Sequence, residues 1–244
     1  MIQANCRSNF TMDDFAFITN SLAEKEKNRA ALSELLTDEE MRDQILDHDQ
    51  LFRQIRKSSG FTRISPHLYF YVLIRHAFKE YGIESRDLAD YVAAMLAEFS
   101  GTERAYNPLK SDREYHYLVD IMLDYSEASS GMEAFLLRSH LGNYSLFMTG
   151  IFPDYINHRA IYKSAPGFDY FEKMGKSSFY WASRHDIAQR YNLVSILDSL
   201  ADRFRLVRQA LNRVSDDYLT TDDRPDDMDK VLRQIFHGPR DDIN

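Results

Sequence analysis

Cysteine is nearly absent from this chain: Cys6 is the only one in 244 residues. That excludes an internal disulfide framework and any cysteine-built zinc site, and it suits a reducing compartment. Glycine and proline are also scarce, at 9 and 6 residues. A β-sandwich or barrel needs a turn signal roughly every eight to twelve residues, so the shortage points to long helices. Long hydrophobic runs are missing too. The longest of note, Leu68 to Ile74, falls far short of the roughly 20 residues that span a bilayer. The first ten residues lack the charged-then-apolar pattern of a signal peptide. The expectation is a cytoplasmic protein without a membrane partner.

Positive charge is in deficit: 30 Lys and Arg against 38 Asp and Glu leave a net charge of −8. Such a chain is repelled by phosphate backbones and anionic lipid, so nucleic acid is not an expected partner. Arg203, Arg205, Arg208 and Arg213 come nearest to a basic patch. They are interleaved with acidic and apolar residues, as on a solvated helix face.

What is present is helical periodicity on a chain that is 44% hydrophobic and 13% aromatic, enough for one sizeable core. Residues 1–244 read as a single helical domain, with N-terminal helices over 1–60, a helical core over 61–214 and an acidic peripheral tail over 215–244. Leu193, Ile196, Leu197, Leu200, Phe204, Val207, Leu211 and Val214 recur at steps of three and four. They predict one helix over 192–214, capped by Asn192. Ser65 and Pro66 open another, apolar on every side from Leu68 to Ile74 and therefore central, which stops at Gly82. Ser85 opens its hairpin partner, which ends at Gly101. Capping-box patterns at Thr37 to Glu40 and Ser111 to Glu114 open helices carrying Met41 to Ile55, ending near Gly60, and Tyr117 to Tyr125. Further helices are expected over 15–36, 132–149, 168–190 and 225–237, with a connection between 150 and 167. The fold expected is all-α, a multi-helix orthogonal or bundle-like array of about eight to ten helices.

None of the eight histidines has Glu or Asp three places before it, and no His-x-x-x-His pair exists. Those spacings carry helical di-iron and zinc sites, so no metal is expected, and the cofactor is left unknown. His76 and Glu80 read as an exposed pair one turn apart. Met174 to Ser177 lacks the earlier glycine of a phosphate-binding loop.

The middle of the chain is oddly polar. Arg138, Gly142, Ser145 and Thr149 follow steps of four, three and four, and Gly175, Ser178, Ala182 and His185 follow steps of three, four and three. Glycine inside a helix costs about 1 kcal/mol against alanine, so something must use the missing side chain. Either two helices approach closely here, with Tyr144, Phe147, Phe171, Phe179 and Trp181 around them, or an aromatic-walled pocket opens between them. In the second case its polar groups are Arg138, His140, Asn143, Tyr144 and His185. His67 and Tyr71 share one face of the central helix. His67 is then either a core histidine with a partner or, if it faces the same cavity, a general acid or base.

The run Leu141-Gly142-Asn143-Tyr144-Ser145-Leu146-Phe147-Met148-Thr149-Gly150-Ile151-Phe152-Pro153, followed by Tyr170 to Gly175, resembles a family of uncharacterised bacterial all-helical proteins. Their signature is Leu-Gly-x-Tyr-x-Leu-Phe-x-x-Gly-x-Phe-Pro with a Tyr-x-x-x-Gly segment after it. The resemblance covers about 61–200 and implies a bacterial origin, with no activity and no catalytic residues to carry over. The functional expectation is a homodimer that binds a small apolar or aromatic ligand, or a protein partner, in an interhelical cavity. Two alternatives stand beside it. One is an enzyme of haem-oxygenase-like or ferritin-like architecture. The other is an interaction module using the 193–214 stripe as a dimer seam.

Overall fold

Local capping chemistry sets most of the helix starts. In the computed structural model, which describes residues 1–23, 26–57, 64–100, 130–163 and 165–218, a single 3-10 turn at Arg7–Asn9 leads into α1 (Met12–Leu22). Thr11 and Asp14 open α1 as a reciprocal capping box. After α2 (Glu26–Leu35), Asp38 accepts from the Met41 N–H at 2.9 Å and opens α3 (Glu39–Leu46), followed by α4 (Asp49–Lys57). Ser65 caps α5 (Pro66–Glu80), which carries proline in its first turn. Gly82, at φ 68, turns the chain, and Ser85 caps α6 (Arg86–Ser100). Ser130 caps α7 (Gly131–Ile151). Then come α8 (Pro153–Lys163), α9 (Phe168–Ser183), α10 (Asp186–Arg190), α11 (Val194–Asp202) and α12 (Phe204–Arg213), with one π turn at Val214–Tyr218.

The described residues thus form an all-α array of twelve α-helices without a strand, somewhat more helices than the eight to ten expected. Several long periodic stretches are divided. The stretch 192–214 bends at Arg203 (φ −106, ψ 18) into α11 and α12, and Asn192 sits in the preceding turn at φ 55 rather than capping a helix. One apolar stripe serves two sets of neighbours: α11 packs on α9 and α6, α12 on α7 and α5. Likewise 15–36 divides after Leu22, 41–55 at Asp47 and His48, and 168–190 at Arg184 and His185. The expected connection at 150–167 contains α8, begun by Pro153. The expected helices around 111–125 and 225–237, and the stops at Gly60 and Gly101, lie outside the described residues.

The core is built on α5 and α7. Every residue of α5 from Leu68 to Arg75, and every residue of α7 from Ser139 to Ile151, is buried. The serine and threonine hydroxyls of α7 are satisfied within the helix: Ser145 donates to the Leu141 carbonyl and Thr149 to the Ser145 carbonyl, both at 2.7 Å. Asn212 donates to the carbonyls of Thr149 and Gly150 at 2.8 Å each, and Ser215 donates to that of Ile151. These bonds satisfy carbonyls that the end of a helix leaves without partners.

Three glycines act as sockets. A Cβ on Gly142 would stand 2.8 Å from the Phe179 ring, and one on Gly150 would stand 2.7 Å from Leu211. On Gly175 it would overlap the Phe204 ring. Phe179, Phe204 and Leu211 are fully buried, and burying each is worth about 1.5–3 kcal/mol against about 1 kcal/mol for a glycine in a helix. Packing wins, so α7, α9 and α12 lock at van der Waals distance. Gly175→Ala is therefore expected to lower stability by about 2 kcal/mol despite its better helix propensity, because the overlap with Phe204 outweighs that gain. Urea unfolding checks this. An unchanged or raised midpoint would show that the ring can step aside.

Candidate functional site

The small stripes of α7 and α9 face one another without enclosing a pocket, because Phe179 fills the space over Gly142. Close packing is what the stripes provide. A cleft opens on another side of α7, between it, the last turn of α6 and residues 1–2. Met1, Ile2, Glu98, Phe99, Leu136, Ser139, His140 and Asn143 line it, around a narrow space of ≈ 30 Å³ that is partly open to solvent. His140 and Asn143 are only 5% and 2% exposed. The His140 ring stands edge to face with Phe99 at 5.5 Å and tilted to Tyr144 at 6.2 Å between centroids. Asn143 Oδ1 accepts from the Tyr91 hydroxyl at 3.1 Å. Burial pushes the Tyr91 phenol above its ordinary range, while the Asn143 bond acts the other way.

The other expected site residues are dispersed. His185 lies near the start of α7, tilted against Phe135 at 5.5 Å, and its Nδ1 accepts from the Ile187 N–H as the cap of α10. Arg138 is half-buried and does not line the cleft. His67 is half-buried in the first turn of α5. Burial lowers its pKa, while Asp14, Glu98 and Asp90 act to raise it. Glu98 thus links His67 electrostatically to the cleft that His140 lines, although His67 is not a lining residue. Tyr71 is fully buried one turn further on, its hydroxyl without a hydrogen-bond partner among the described residues. Burial raises its pKa while nearby Arg7 opposes the rise.

Arg7 belongs to a buried ionic clamp. Asp90, 2% exposed, accepts from the backbone N–H groups of Cys6 (3.1 Å) and Arg7 (2.8 Å) and from Arg7 Nε (3.1 Å). Arg7 Nη1 meets both oxygens of Asp43, at 2.9 and 2.8 Å. Its guanidinium carbon lies 5.6 Å from the centre of the Tyr71 ring. Asp47 accepts from Arg75 at 2.9 and 3.2 Å and from Arg86 at 3.1 Å. Asp14 accepts from the backbone N–H groups of Thr11 and Ser65, both at 2.7 Å. Four aspartates therefore tie the N-terminal segment, α1 and α3 to α5 and α6. Burial raises the Asp90 pKa even though the bonds from Arg7 and Cys6 pull it down. Cys6 is buried, its thiol donating to the His67 carbonyl at 3.2 Å. Among the described residues, no group of three or more His, Cys, Asp or Glu is placed to hold a metal ion.

The far end of α9 presents a different surface. Trp181, the only tryptophan, is 56% exposed, and Tyr180 is 43% exposed, so Trp181 does not join the stripes as expected. Their rings meet edge to face at 5.4 Å. The Arg184 guanidinium lies 3.5 Å from the Tyr180 centroid and donates to Asp198 at 2.9 Å. Exposed Tyr191 and Val194 follow in the chain. Compared with protein-family models, curated proteins and solved structures, the chain finds no match.

Glu98, Tyr91 and the whole Arg7 clamp were missed by sequence reasoning. The clamp's partners are 36 and 83 residues from Arg7, and no spacing rule reaches that far. Arg7→Ala leaves Asp43 and Asp90 buried without their cation and is expected to cost roughly 3 kcal/mol in a denaturant titration. A loss below the effect of an ordinary surface substitution would show that the clamp is dispensable. The lowered pKa of His67 means that the fold favours its neutral ring. That contribution is complete above the ordinary histidine value of 6.5 and is lost as pH falls through the lowered value. His67→Gln is expected to flatten this part of the stability profile, and thermal melts across mildly acidic pH read it directly.

Proposed function

We propose that this chain is a helical interaction module that docks another protein surface, a second copy of itself in the first instance, through the exposed aromatic end of α9. The observation that carries the reading is the exposure of Trp181 and Tyr180 beside Arg184. Trp, Tyr and Arg are the residue types that dominate binding energy at protein interfaces. Arg184 is held over Tyr180 by Asp198, so the group is ordered before it meets a partner and loses less entropy on binding. Leu197, Leu200, Phe204, Val207 and Leu211 are buried within the chain itself, which favours the α9 surface over the 193–214 stripe as the docking face.

A second reading, binding of a small ligand, rests on the cleft in which Glu98, Ser139, His140 and Asn143 converge beside Phe99 and Leu136. Its polar lining favours a small polar ligand over the apolar one expected from sequence. The enzyme alternative has only the helix count behind it. A bacterial, cytoplasmic setting is supported by the resemblance of residues 141–153 to a bacterial helical family and by the single buried thiol. No helix among the described residues is long and apolar enough to cross a membrane.

Sedimentation equilibrium on the native chain and on the Trp181→Ala, Tyr180→Ala double variant tests the docking reading. The expected result is a native dimer and a variant monomer of unchanged helicity. If the native chain is a monomer, a photo-crosslinking residue at exposed Ser177 should capture a discrete partner in its source cells that the same group at Arg53, on α4, does not. Equal labelling from both positions would sink the reading.

A further inference from the structure

The outward face of α9 is patterned about its own midpoint. Glu172, Gly175, Ser178, Phe179, Ala182 and Ser183 are buried. At roughly 100° per residue, exposed Ser177 stands opposite them, at the centre of the outward side. One turn before Ser177 comes exposed Lys173, and one turn after it comes exposed Trp181. Two turns before it comes exposed Tyr170, and two turns after it comes Arg184, which ends the helix. Counted outward from Ser177, each aromatic ring of these four positions has a cation at the same distance on the other side. Tyr180, beside Trp181, carries the Arg184 guanidinium 3.5 Å from its ring centre, and Asp198 accepts from that guanidinium.

We propose that this face pairs with its own copy in an antiparallel, two-fold arrangement centred on Ser177, each Lys173 meeting the partner's Trp181 and each Arg184 the partner's Tyr170. The inference rests on the docking reading at α9 and adds to it the occupant, its orientation and its register. Antiparallel pairing about Ser177 brings positions equally far from it, on opposite sides, to the same level. Each cation then meets a ring, an attraction that strengthens as water is excluded. Parallel pairing would instead set Lys173 against Lys173 and Arg184 against Arg184, and like charges repel across an interface. The small Ser177 side chain lets the two helices approach closely where they cross. A guanidinium is planar with two faces, so Arg184 keeps its own Tyr180 on one and takes the partner's Tyr170 on the other. The two-fold axis repeats every contact, as a self-complementary patch requires.

The test uses the full chain carrying Ser177→Cys, Tyr170→Cys or Arg184→Cys, treated with a short dimaleimide crosslinker. Native Cys6 is buried, and Arg53→Cys on α4 is the control. Trp181 and Tyr180 stay in place throughout. The pairing predicts that Ser177→Cys links to itself, whereas Tyr170→Cys and Arg184→Cys link efficiently only when the two chains are mixed. It also predicts that Lys173→Met weakens association about tenfold in sedimentation equilibrium, since two symmetric cation–ring contacts are lost, and that Lys173→Arg retains it. Self-linking of Tyr170→Cys and of Arg184→Cys without the mixed product overturns the proposal, because the helices would then run parallel. Unchanged association of Lys173→Met overturns the register. No product above the control from any of the three also overturns the proposal. If the Trp181→Ala, Tyr180→Ala double variant still loses association in that case, docking at α9 stands and only the pairing falls. A native chain that is a monomer at every concentration overturns the pairing as well, and leaves the docking reading to the photo-crosslink at Ser177.

Discussion

Phe179 on Gly142, Phe204 on Gly175 and Leu211 on Gly150 bring α7, α9 and α12 together at a spacing that side chains larger than hydrogen would forbid. The rest of the core follows from that contact. With α7 gripped by two helices, its C-terminal carbonyls come within reach of Asn212 and Ser215, and its remaining faces are left to α6 and to residues 1–2. The bend at Arg203 belongs to the same arrangement. A straight helix over 194–213 would keep its stripe on one line, whereas here α11 and α12 meet different neighbours and Phe204, at the bend, enters the Gly175 socket.

Two kinds of binding energy are thereby kept apart. The glycine sockets are apolar and dry, and they gain from dispersion and burial, which need shape but no partner of opposite charge. The N-terminal third is held by buried ion pairs from Arg7, Arg75 and Arg86 to Asp43, Asp47 and Asp90, where desolvation and attraction nearly cancel and removal of one partner is what costs most. The first system fixes the core rigidly. The second makes the attachment of the N-terminal segment depend on a few charged bonds. The cleft at His140 lies where the two meet, with α7 on one side and residues 1–2 on the other.

The exposed end of α9 follows from helical geometry. Ser178, Phe179, Ala182 and Ser183 face inward, which leaves Tyr180, Trp181 and Arg184 to project outward. Periodicity alone gave Trp181 to the core, because an aromatic beside a small-residue stripe is usually part of the packing. The position of Trp181 one residue after Tyr180, off the 175–178–182 face, was the available signal against that assignment.

Composition and local pattern determined a great deal. The shortage of glycine and proline, the stripes at steps of three and four, and the caps at Ser65 and Ser85 announced an all-helical chain with a central α5. Those signals act over a few residues, through backbone hydrogen bonds and side-chain periodicity, and so can be read along the chain. They also showed that Gly142 and Gly175 had to be used, without showing by what. Only the tertiary structure decided that the occupants are Phe179 and Phe204, and that His140 and Asn143 share a cleft while His185 and Tyr71 lie elsewhere. It alone joined Arg7 to Asp43 and Asp90 across tens of residues. Those outcomes depend on which distant surfaces meet, and that is set by the shape and charge of whole helices, for which no short spacing in the sequence stands as a sign.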